Sequence, residues 1–203
     1  LEGNVSSISG ASMGSDAADV NHDGYADIFV TEMLPEPEER VKTVTTFENW
    51  DKYQYNVKNG YYHQFTRNMF QLNNGDTSFS EIGRLTGVEA TDWSWAALMA
   101  DLDQNGNTDL FIANGIYQDL TDMDYINYYS NPELFQTVLR DDKPVDILFE
   151  SIPSVPVANY AYSNEGELRF ENRAQEWGLG EPGFSNGSAY GDLDNDGDLD
   201  LVI

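Results

Sequence analysis

Three nine-residue loops hold the residues of this chain that are best suited to chemistry. They are Asp19–Asp27 (DVNHDGYAD), Asp101–Asp109 (DLDQNGNTD) and Asp192–Asp200 (DLDNDGDLD). Each loop has oxygen-bearing side chains at positions 1, 3, 5 and 9 and a glycine at position 6. A hard cation such as calcium takes about six to eight oxygen ligands, and glycine permits the tight turn that lets alternate residues supply them. We therefore predict that the chain binds three calcium ions.

Each predicted site combines four side chains with the backbone carbonyl of position 7. The ligands are Asp19, Asn21, Asp23, Tyr25 and Asp27; Asp101, Asp103, Asn105, Asn107 and Asp109; and Asp192, Asp194, Asp196, Asp198 and Asp200. The third loop has four carboxylates at the side-chain positions, so its charge favours the tightest binding. The alternative is a set of solvated turns without metal, because Asp, Asn and Gly favour turns by themselves. Converging carboxylates would then repel one another.

The residues after each loop argue against an EF-hand. That motif requires a bidentate Glu at position 12 and a helix on either side of the loop. Position 12 is Val30, Ile112 or Ile203, and each loop continues into an apolar, β-branched segment that predicts a strand. The loops are therefore expected to connect strands.

A longer repeat contains these loops. The segments 68–110 and 159–201 align without a gap at an offset of 91, with matching Asn, Gly, Phe and Ser residues. The first loop belongs to the repeat through Ser12, which precedes Asp19 by the same interval as Ser94 precedes Asp101. Each unit predicts four short strands: one before the loop, one after it, one ending in an Asn-rich turn and one containing a Phe. A repeated unit of four strands is typical of a β-propeller blade.

With this loop before a strand, and with N-x-G and F downstream, the chain resembles the FG-GAP/VCBS repeats of integrin α-subunit propellers. Segments such as Asp92–Trp95 and Asn114–Tyr117 are similar to those of large secreted or surface VCBS-repeat proteins of Bacteroidota, which are related to the cartilage acidic proteins. The resemblance implies structural calcium sites in a propeller outside the cell or at its surface, associated with the outer membrane. The Phe-Gly…Gly-Ala-Pro signature is missing, so integrin-like adhesion is not implied.

The repeat predicts an all-β protein with helical insertions and an incomplete ring of four-stranded antiparallel blades. Blade one spans about 12–82, blade two about 93–173, and half of blade three about 185–203. Because a propeller usually closes with about 4–8 blades, the remaining blades of a parent protein are expected partners.

The charge of the chain excludes two classes of partner. Its formal net charge is −26, with only 10 Lys and Arg among 203 residues. Nucleic acids and anionic membranes are bound by clustered basic residues, so neither is expected. The sequence also has no apolar run long enough to insert into a membrane.

Two insertions, about 31–65 and 115–156, separate the second and third strands of the two complete units. In a four-stranded meander this connection lies at the end opposite the metal loops. We predict a helix within 36–58, because Val41, Val44, Phe47 and Trp50 follow a helical spacing and Gly60 can stop it. Short helices are also predicted over 121–130 and 132–140, the second with Asn131 as its N-cap and Pro132 in its first turn.

Both insertions are rich in aromatic residues. These side chains either stack on sugars and anchor a partner protein, or pack the insertions onto the sheets. If they bind, Trp50, Tyr117 and Tyr125 are expected near the ligand.

The leading functional hypothesis is a non-enzymatic module outside the cell that presents the insertions to a protein or glycan. One alternative is a polysaccharide-active enzyme that uses Asp119, Asp122 and Asp124 beside Tyr117 and Tyr125, although the same acidic cluster also suits a helix start. A purely architectural repeat in a larger surface protein is the other alternative. The sequence predicts no catalytic residue, because neither His22 nor His63 has a nucleophile or second histidine at a useful spacing.

Overall fold

The computed structural model describes residues 3–44 and 49–203, and within them the protein is mainly β, with strands in several antiparallel sheets. The strands are β1 (Ile8–Ser9), β2 (Ser15–Ala18), β3 (Asp27–Val30), β4 (Gln64–Phe65), β5 (Met69–Asn73), β6 (Phe79–Glu81), β7 (Ser94–Ala100), β8 (Asp109–Asn114), β9 (Tyr160–Asn164), β10 (Phe170–Asn172), β11 (Ala189–Gly191) and β12 (Asp200–Val202). The helices are α1 (Glu38–Thr43), α2 (Trp50–Lys58), α3 (Gly83–Thr86), α4 (Met123–Tyr129), α5 (Pro132–Val138) and α6 (Pro144–Glu150). None of the helices in the described part of the chain is long and apolar enough to span a membrane.

Two four-stranded antiparallel sheets form the body of the molecule. The first sheet has the strand order β2-β3-β5-β6 and the second has β7-β8-β9-β10. The third hairpin consists of β11 and β12, and β1 and β4 form a small parallel pair. Strand connectivity is the same in the two sheets, so each sequence unit folds as a meander with one long connection.

The strand registers fix the two ends of each sheet. Ala18 pairs with Asp27 at one end of the β2–β3 hairpin, and Ser15 pairs with Val30 at the other. The nine-residue loops and the β5–β6 and β9–β10 turns therefore lie at one end, which we call the loop end. The connections from β3 to β5 and from β8 to β9 leave from the opposite end, which we call the insertion end.

The second sheet is buried on both faces, which explains its apolar sequence. All six residues of β8 are buried. Leu110 and Ile112 point toward the first sheet, whereas Phe111 and Ala113 point toward the side of the third hairpin, as the alternation of a strand requires. A strand covered on both faces needs apolar residues at consecutive positions.

Two apolar clusters lie on either side of the second sheet. The larger cluster contains Val20, Phe29, Phe70, Ile82, Val88, Ala97, Met99, Leu110, Ile112 and Tyr162. Phe70 is central to it, because its ring meets Phe29 at 5.5 Å and Phe170 at 5.6 Å, both edge to face. The smaller cluster contains Phe111, Ala113, Ala161 and Ala174, with Leu201 of the third hairpin packed against it.

Two glycines mark where neighbouring units come closest. A Cβ atom at Gly14 would lie 2.6 Å from the backbone oxygen of Trp95, and one at Gly115 would lie 2.6 Å from the Cα atom of Phe184. Gly115 also has φ of 144°, a conformation that other residues rarely adopt. The backbones of successive units approach too closely at these positions for any side chain.

The insertions form helices, with one correction to the prediction. The single helix predicted within 36–58 is wrong: α1 ends before Val44, which is extended and bridges to Asp122, and α2 begins at Trp50. Phe47, which supported the prediction, lies outside the described residues. Gly60 follows α2 with φ of 86°, as expected of a helix stop.

The two helices predicted in the second insertion are confirmed. Helix α4 lies within 121–130, and α5 begins at Pro132 with the side chain of Asn131 accepting hydrogen bonds from the backbone N–H groups of Glu133 and Leu134. Helices α3 and α6 were not predicted from the sequence.

Candidate metal centre

The three loops adopt one backbone conformation. At position 4 the φ angles of His22, Gln104 and Asn195 are 61°, 58° and 62°. At position 6 the glycines have φ of 90°, 89° and 96°. Because a residue with a side chain rarely adopts the conformation at position 6, glycine there is a requirement of the loop itself.

The three loops also share their hydrogen bonds. In each, the position-9 carboxylate accepts from the N–H of position 2, the position-1 carboxylate accepts from the glycine N–H, and the position-5 side chain accepts from the N–H of position 7. In the first, second and third loops, the bond to the position-9 carboxylate has an N···O distance of 3.0, 2.8 and 2.8 Å. The bond to the position-1 carboxylate measures 2.8, 3.0 and 3.2 Å, and the bond to the position-5 side chain 2.9, 2.7 and 3.1 Å. Side chains thus fold the loop around its own carboxylates.

Carboxylates converge in two of the loops. One oxygen from each of Asp101, Asp103 and Asp109 lies within 4.8 Å of the others, and Asp192, Asp194 and Asp200 form an equivalent group. These residues occupy positions 1, 3 and 9. The first loop has the amide of Asn21 at position 3, so among the residues that the structure describes its carboxylates do not form a group of three at this distance.

Position 5 lies outside the converging carboxylates. Asp196 was predicted as a ligand alongside Asp192, Asp194 and Asp200, but its carboxylate is not part of their group. Instead, its Oδ1 accepts the N–H of Asp198, and this backbone hydrogen bond lowers the pKa of Asp196. The neighbouring Asp196 carboxylate in turn raises the pKa of Asp198. Negative charge is therefore crowded in the third loop.

The position-9 aspartates are the buried members of the first two sites. Asp27 and Asp109 are fully buried. Burial raises the pKa of both carboxyl groups, that of Asp109 to about 6, even though backbone N–H groups donate to each of them. A bound cation would offset this cost of burying a charge.

All of the converging groups are oxygen donors. Carboxylates and amides without histidine or cysteine suit calcium or another hard cation rather than a soft metal. The donor set therefore fits the predicted ion, and the carbonyl oxygens of Tyr25, Asn107 and Asp198 remain predicted ligands.

Two asparagines that the sequence analysis did not assign to a site support the loops. Asn73 and Asn164 donate their backbone N–H groups to Asp27 and Asp109, at 2.8 and 2.9 Å. Each also accepts the N–H of a glycine two residues later through its side-chain oxygen. Their offset of 91 in the repeat is the signal that could have revealed this shared role.

Asn164 also connects the first two loops. Its side-chain Nδ2 donates to the carbonyl of Val20 in the first loop at 3.1 Å and to that of Thr108 in the second at 3.2 Å. The hydroxyl of Thr108 donates to the carbonyl of Asp19 at 3.1 Å. The first and second loops are therefore one hydrogen-bonded unit.

The three carboxylates that a polysaccharide-active enzyme would use have structural roles. Asp119 is buried and lies 2.8 Å from Nη1 of Arg40, which also contacts Asp92 at 2.5 Å. Asp122 caps α4 by accepting the N–H of Tyr125. Asp124 lies in the first turn of the same helix. The predicted acidic cluster is thus divided between an ion pair and a helix start.

The aromatic residues predicted near a ligand occupy different environments. Trp50 and Tyr117 are exposed, at 71% and 68%. Tyr125 is half-buried and donates its hydroxyl hydrogen to the carbonyl of Leu148 at 3.3 Å. Exposure therefore leaves the ring faces of Trp50 and Tyr117 accessible, whereas Tyr125 packs within its insertion.

Comparison of the sequence with known protein families and with curated proteins finds no match.

Proposed function

We propose that this chain is a non-enzymatic, calcium-stabilised module that acts outside the cell or at its surface, bound to the outer membrane. The observation that supports it best is the repetition of one loop conformation three times, with carboxylates converging within 4.8 Å in two copies. Unrelated surface turns have no reason to share a left-handed residue, a glycine and three hydrogen bonds. A common ligand is the simplest physical cause.

The module belongs, in this proposal, to a β-propeller of the FG-GAP/VCBS type. Support comes from two four-stranded meanders that pack face to face, followed by a hairpin that packs on the far side of the second sheet. Successive blades of a propeller pack in this way. The remaining blades would then cover the exposed surface of the third hairpin.

The binding role is assigned to the insertion end. Long connections on a rigid scaffold are where function tends to lie, and this end exposes Trp50 and Tyr117. The engagement of Asp119 by Arg40 favours binding over hydrolysis, because the alternative enzyme would need that carboxylate. A protein or a glycan is the proposed partner.

Calcium binding is tested by thermal unfolding of the full chain in calcium and in excess chelator. A site with free calcium at about 100 times its Kd stabilises by about 2.7 kcal/mol. Since 1 kcal/mol moves the midpoint of such a chain by roughly 2–4 °C, removal of calcium from three sites should lower Tm by roughly 10 °C or more. Isothermal titration calorimetry should then count three ions.

The matched control removes one carboxylate outside the loops. Asp142→Ala changes the net charge as much as Asp103→Ala, but Asp142 lies on the surface of the second insertion. Only the loop variant should reduce the number of bound ions. A Tm that does not respond to chelator would refute the proposal.

A further inference from the structure

A cleft of about 670 Å³ lies in the first insertion, between α2 and β4. Aromatic rings line it: Trp50, Tyr53, Tyr62 and Phe65. Its size is within the range of about 300–1,000 Å³ that small-ligand sites usually occupy. The cleft is separate from the nine-residue loops and from the hydrogen bonds described above.

Three of the rings form one continuous stack. Trp50 lies on Tyr53 with 5.5 Å between ring centroids and 25° between planes, and Tyr53 lies on Phe65 at 5.6 Å and 23°. Trp50 and Tyr53 are three residues apart and therefore share one face of α2. The stack holds the outermost ring, that of Trp50, in a fixed orientation while leaving it 71% exposed.

The hydroxyl groups of the two tyrosines are engaged within the protein. The hydroxyl of Tyr53 is hydrogen-bonded to Nδ1 of His63 at 2.6 Å, and that of Tyr62 donates to the carbonyl of Val5. Since Tyr53 is stacked between Trp50 and Phe65, the face of Trp50 that does not contact Tyr53 is the flat apolar surface available to a ligand. Because the three stacked rings are nearly parallel, they do not surround a point as the rings of a cation-binding cage do.

Both charged and amide side chains supply the polar part of the cleft. Glu32 and Lys52 line it together with Gln54, Asn56 and Gln64. Within residues 3–44 and 49–203 the side chains of these last three residues make no hydrogen bond. Each amide can donate through its NH₂ group and accept through its oxygen. A hydroxyl group also donates and accepts, so these amides match a ligand that carries many hydroxyls.

We infer that this cleft binds a neutral oligosaccharide, with one sugar ring on the face of Trp50 and its hydroxyls on the amides of Gln54, Asn56 and Gln64. This inference rests on the proposed binding role of the insertion end and names its ligand class. The flat apolar face of a pyranose ring suits an exposed, fixed indole.

Other ligand classes fit the cleft less well. An apolar peptide helix would bury the three amides without partners, at a cost of about 1–3 kcal/mol each. An anionic glycan or a nucleic acid would approach a chain with a net charge of −26, and the lining of the cleft adds no net positive charge because it contains Glu32 as well as Lys52. A neutral saccharide incurs neither cost.

The experiment uses the full chain loaded with calcium and a panel of neutral oligosaccharides of about four to six units, a length matched to the cleft. Gluco-, xylo- and manno-oligosaccharides, an anionic galacturonate oligomer, choline and an apolar helical peptide are titrated by calorimetry. At least one neutral oligosaccharide should bind, and the anionic oligomer should bind more weakly or not at all.

Two variants of α2 locate the site. Trp50→Ala should weaken binding by at least about tenfold, the loss expected for an aromatic anchor, whereas Trp50→Phe should retain part of it. Tyr55→Ala is the matched control: Tyr55 is on the same helix and 66% exposed but does not line the cleft, so affinity should not change.

Melting curves in calcium and in chelator, recorded on the same samples, separate this inference from the calcium proposal. If Tm depends on calcium but no neutral oligosaccharide binds, the inference about the cleft is wrong and the calcium proposal stands. If an oligosaccharide binds while chelator leaves Tm unchanged, the inference about the cleft stands and the calcium proposal is wrong. Preferential binding of choline or the peptide, or equal affinity of Trp50→Ala and wild type, would also overturn the inference.

Discussion

The loop end of the sheets repeats one arrangement, whereas the insertion end does not. Each nine-residue loop has a residue in the left-handed conformation at position 4, a glycine at position 6 and the same hydrogen bond to its position-9 carboxylate. Among the described residues, the first insertion has two helices and a stack of aromatic rings, and the second has three helices. The sheets therefore connect a uniform end, which we propose binds one kind of ion, with a varied end, which we propose binds a partner.

The hydrogen bonds within the loops and the contacts at the insertion end differ in the number of residues that separate their partners. Within each loop, the hydrogen-bonded groups are at most seven residues apart. At the insertion end, Arg40 joins Asp92 and Asp119, and Tyr160 donates its hydroxyl hydrogen to Glu36 across 124 residues. Local hydrogen bonds therefore shape each loop, and Asn73 and Asn164 brace the first two from a distance, whereas the insertion helices are held mainly by partners elsewhere in the fold.

Among single substitutions, the largest expected effect comes from removing the ion pair at the insertion end. Arg40→Met leaves Asp92 and Asp119 buried without their cation, which should cost about 3–5 kcal/mol and lower Tm by roughly 10 °C. The response of Tm to chelator should persist, because the loops do not contact Arg40. Thermal unfolding with and without chelator measures both.

Lys42→Met is the matched control for this variant. Lys42 is on the same helix, and its pair with Glu38 is exposed, so its loss should cost less than about 1 kcal/mol. Equal stability of the Arg40 and Lys42 variants would show that the ion pair does not hold the insertions.

The second-largest loss of stability is expected from breaking the hydrogen bonds that connect the first two loops. Asn164 is 1% exposed, and Asn164→Ala removes three bonds of its side chain. The buried carbonyl of Val20 and the half-buried carbonyl of Thr108 lose a donor, and the N–H of Gly166 loses its acceptor. We expect a loss of about 3 kcal/mol in the free energy of unfolding, measured by urea denaturation.

Asn73→Ala makes the equivalent change in the first sheet. Among the described residues, the Asn73 side chain bonds to Ala26 and Gly75 alone, both within its own unit, so a loss of about 1 kcal/mol is expected. If the two variants are equally destabilised, the connection between loops contributes nothing.

The sequence predicts the loop end well for a physical reason. Local patterns determine it: alternate oxygen-bearing residues, a glycine at position 6 and apolar strands on either side. The 91-residue offset likewise placed Phe79 and Phe170 on the outer strands β6 and β10, as the structure has them. Capping residues also placed α5, because Asn131 and Pro132 act within one turn of the helix.

The insertion end and the bracing of the loops could not be predicted in the same way. Val44 fits a helical pattern but is extended, because it bridges to Asp122 in the other insertion. The ion pair of Arg40 and the bonds of Asn164 join residues more than 50 positions apart. No local pattern in a single sequence records such contacts.

A smaller effect should distinguish the second loop from the third. Asp103→Ala and Asp194→Ala each remove the position-3 ligand, and loss of one ion costs up to about 2.7 kcal/mol. Asparagine is avoided because the first loop has Asn21 at this position and is also predicted to bind calcium. The second loop contains the buried Asp109 and is bonded to Asn164, whereas every residue of 192–198 is exposed. Asp103→Ala should therefore lower the Tm of the calcium-loaded chain by roughly 5 °C and Asp194→Ala by about 2 °C.

The charge of the third loop provides the counter-test to that comparison. Its four side-chain carboxylates place more negative charge around the ion than the second loop does, which favours tighter binding. Calorimetry should therefore show that the site lost in Asp194→Ala is the one with the higher affinity. In excess chelator the two variants should have the same Tm. A larger loss of Tm for Asp194→Ala would mean that affinity, not the position of the loop in the fold, decides stability.

The smallest effect is a pH dependence that belongs to the loop end alone. Burial raises the pKa of Asp109 in the folded, calcium-free chain to about 6, above the value of about 3.9 in an unfolded chain. The folded state therefore takes up a proton between about pH 6 and pH 4, and this group favours folding more as the pH falls through that range. Calcium requires the ionised carboxylate, so a proton competes with it.

Melting curves with and without calcium should therefore converge as the pH falls. The gain in Tm from calcium should be constant above about pH 7 and should shrink by a few degrees by about pH 5, because protonation of Asp109 weakens the second site. The loss of Tm in Arg40→Met relative to Lys42→Met, measured in chelator, provides the reference for the insertion end and should not follow this profile. If the gain from calcium were the same at pH 5 as at pH 7, the buried aspartate would not be a ligand, and the two ends would no longer differ in the way proposed.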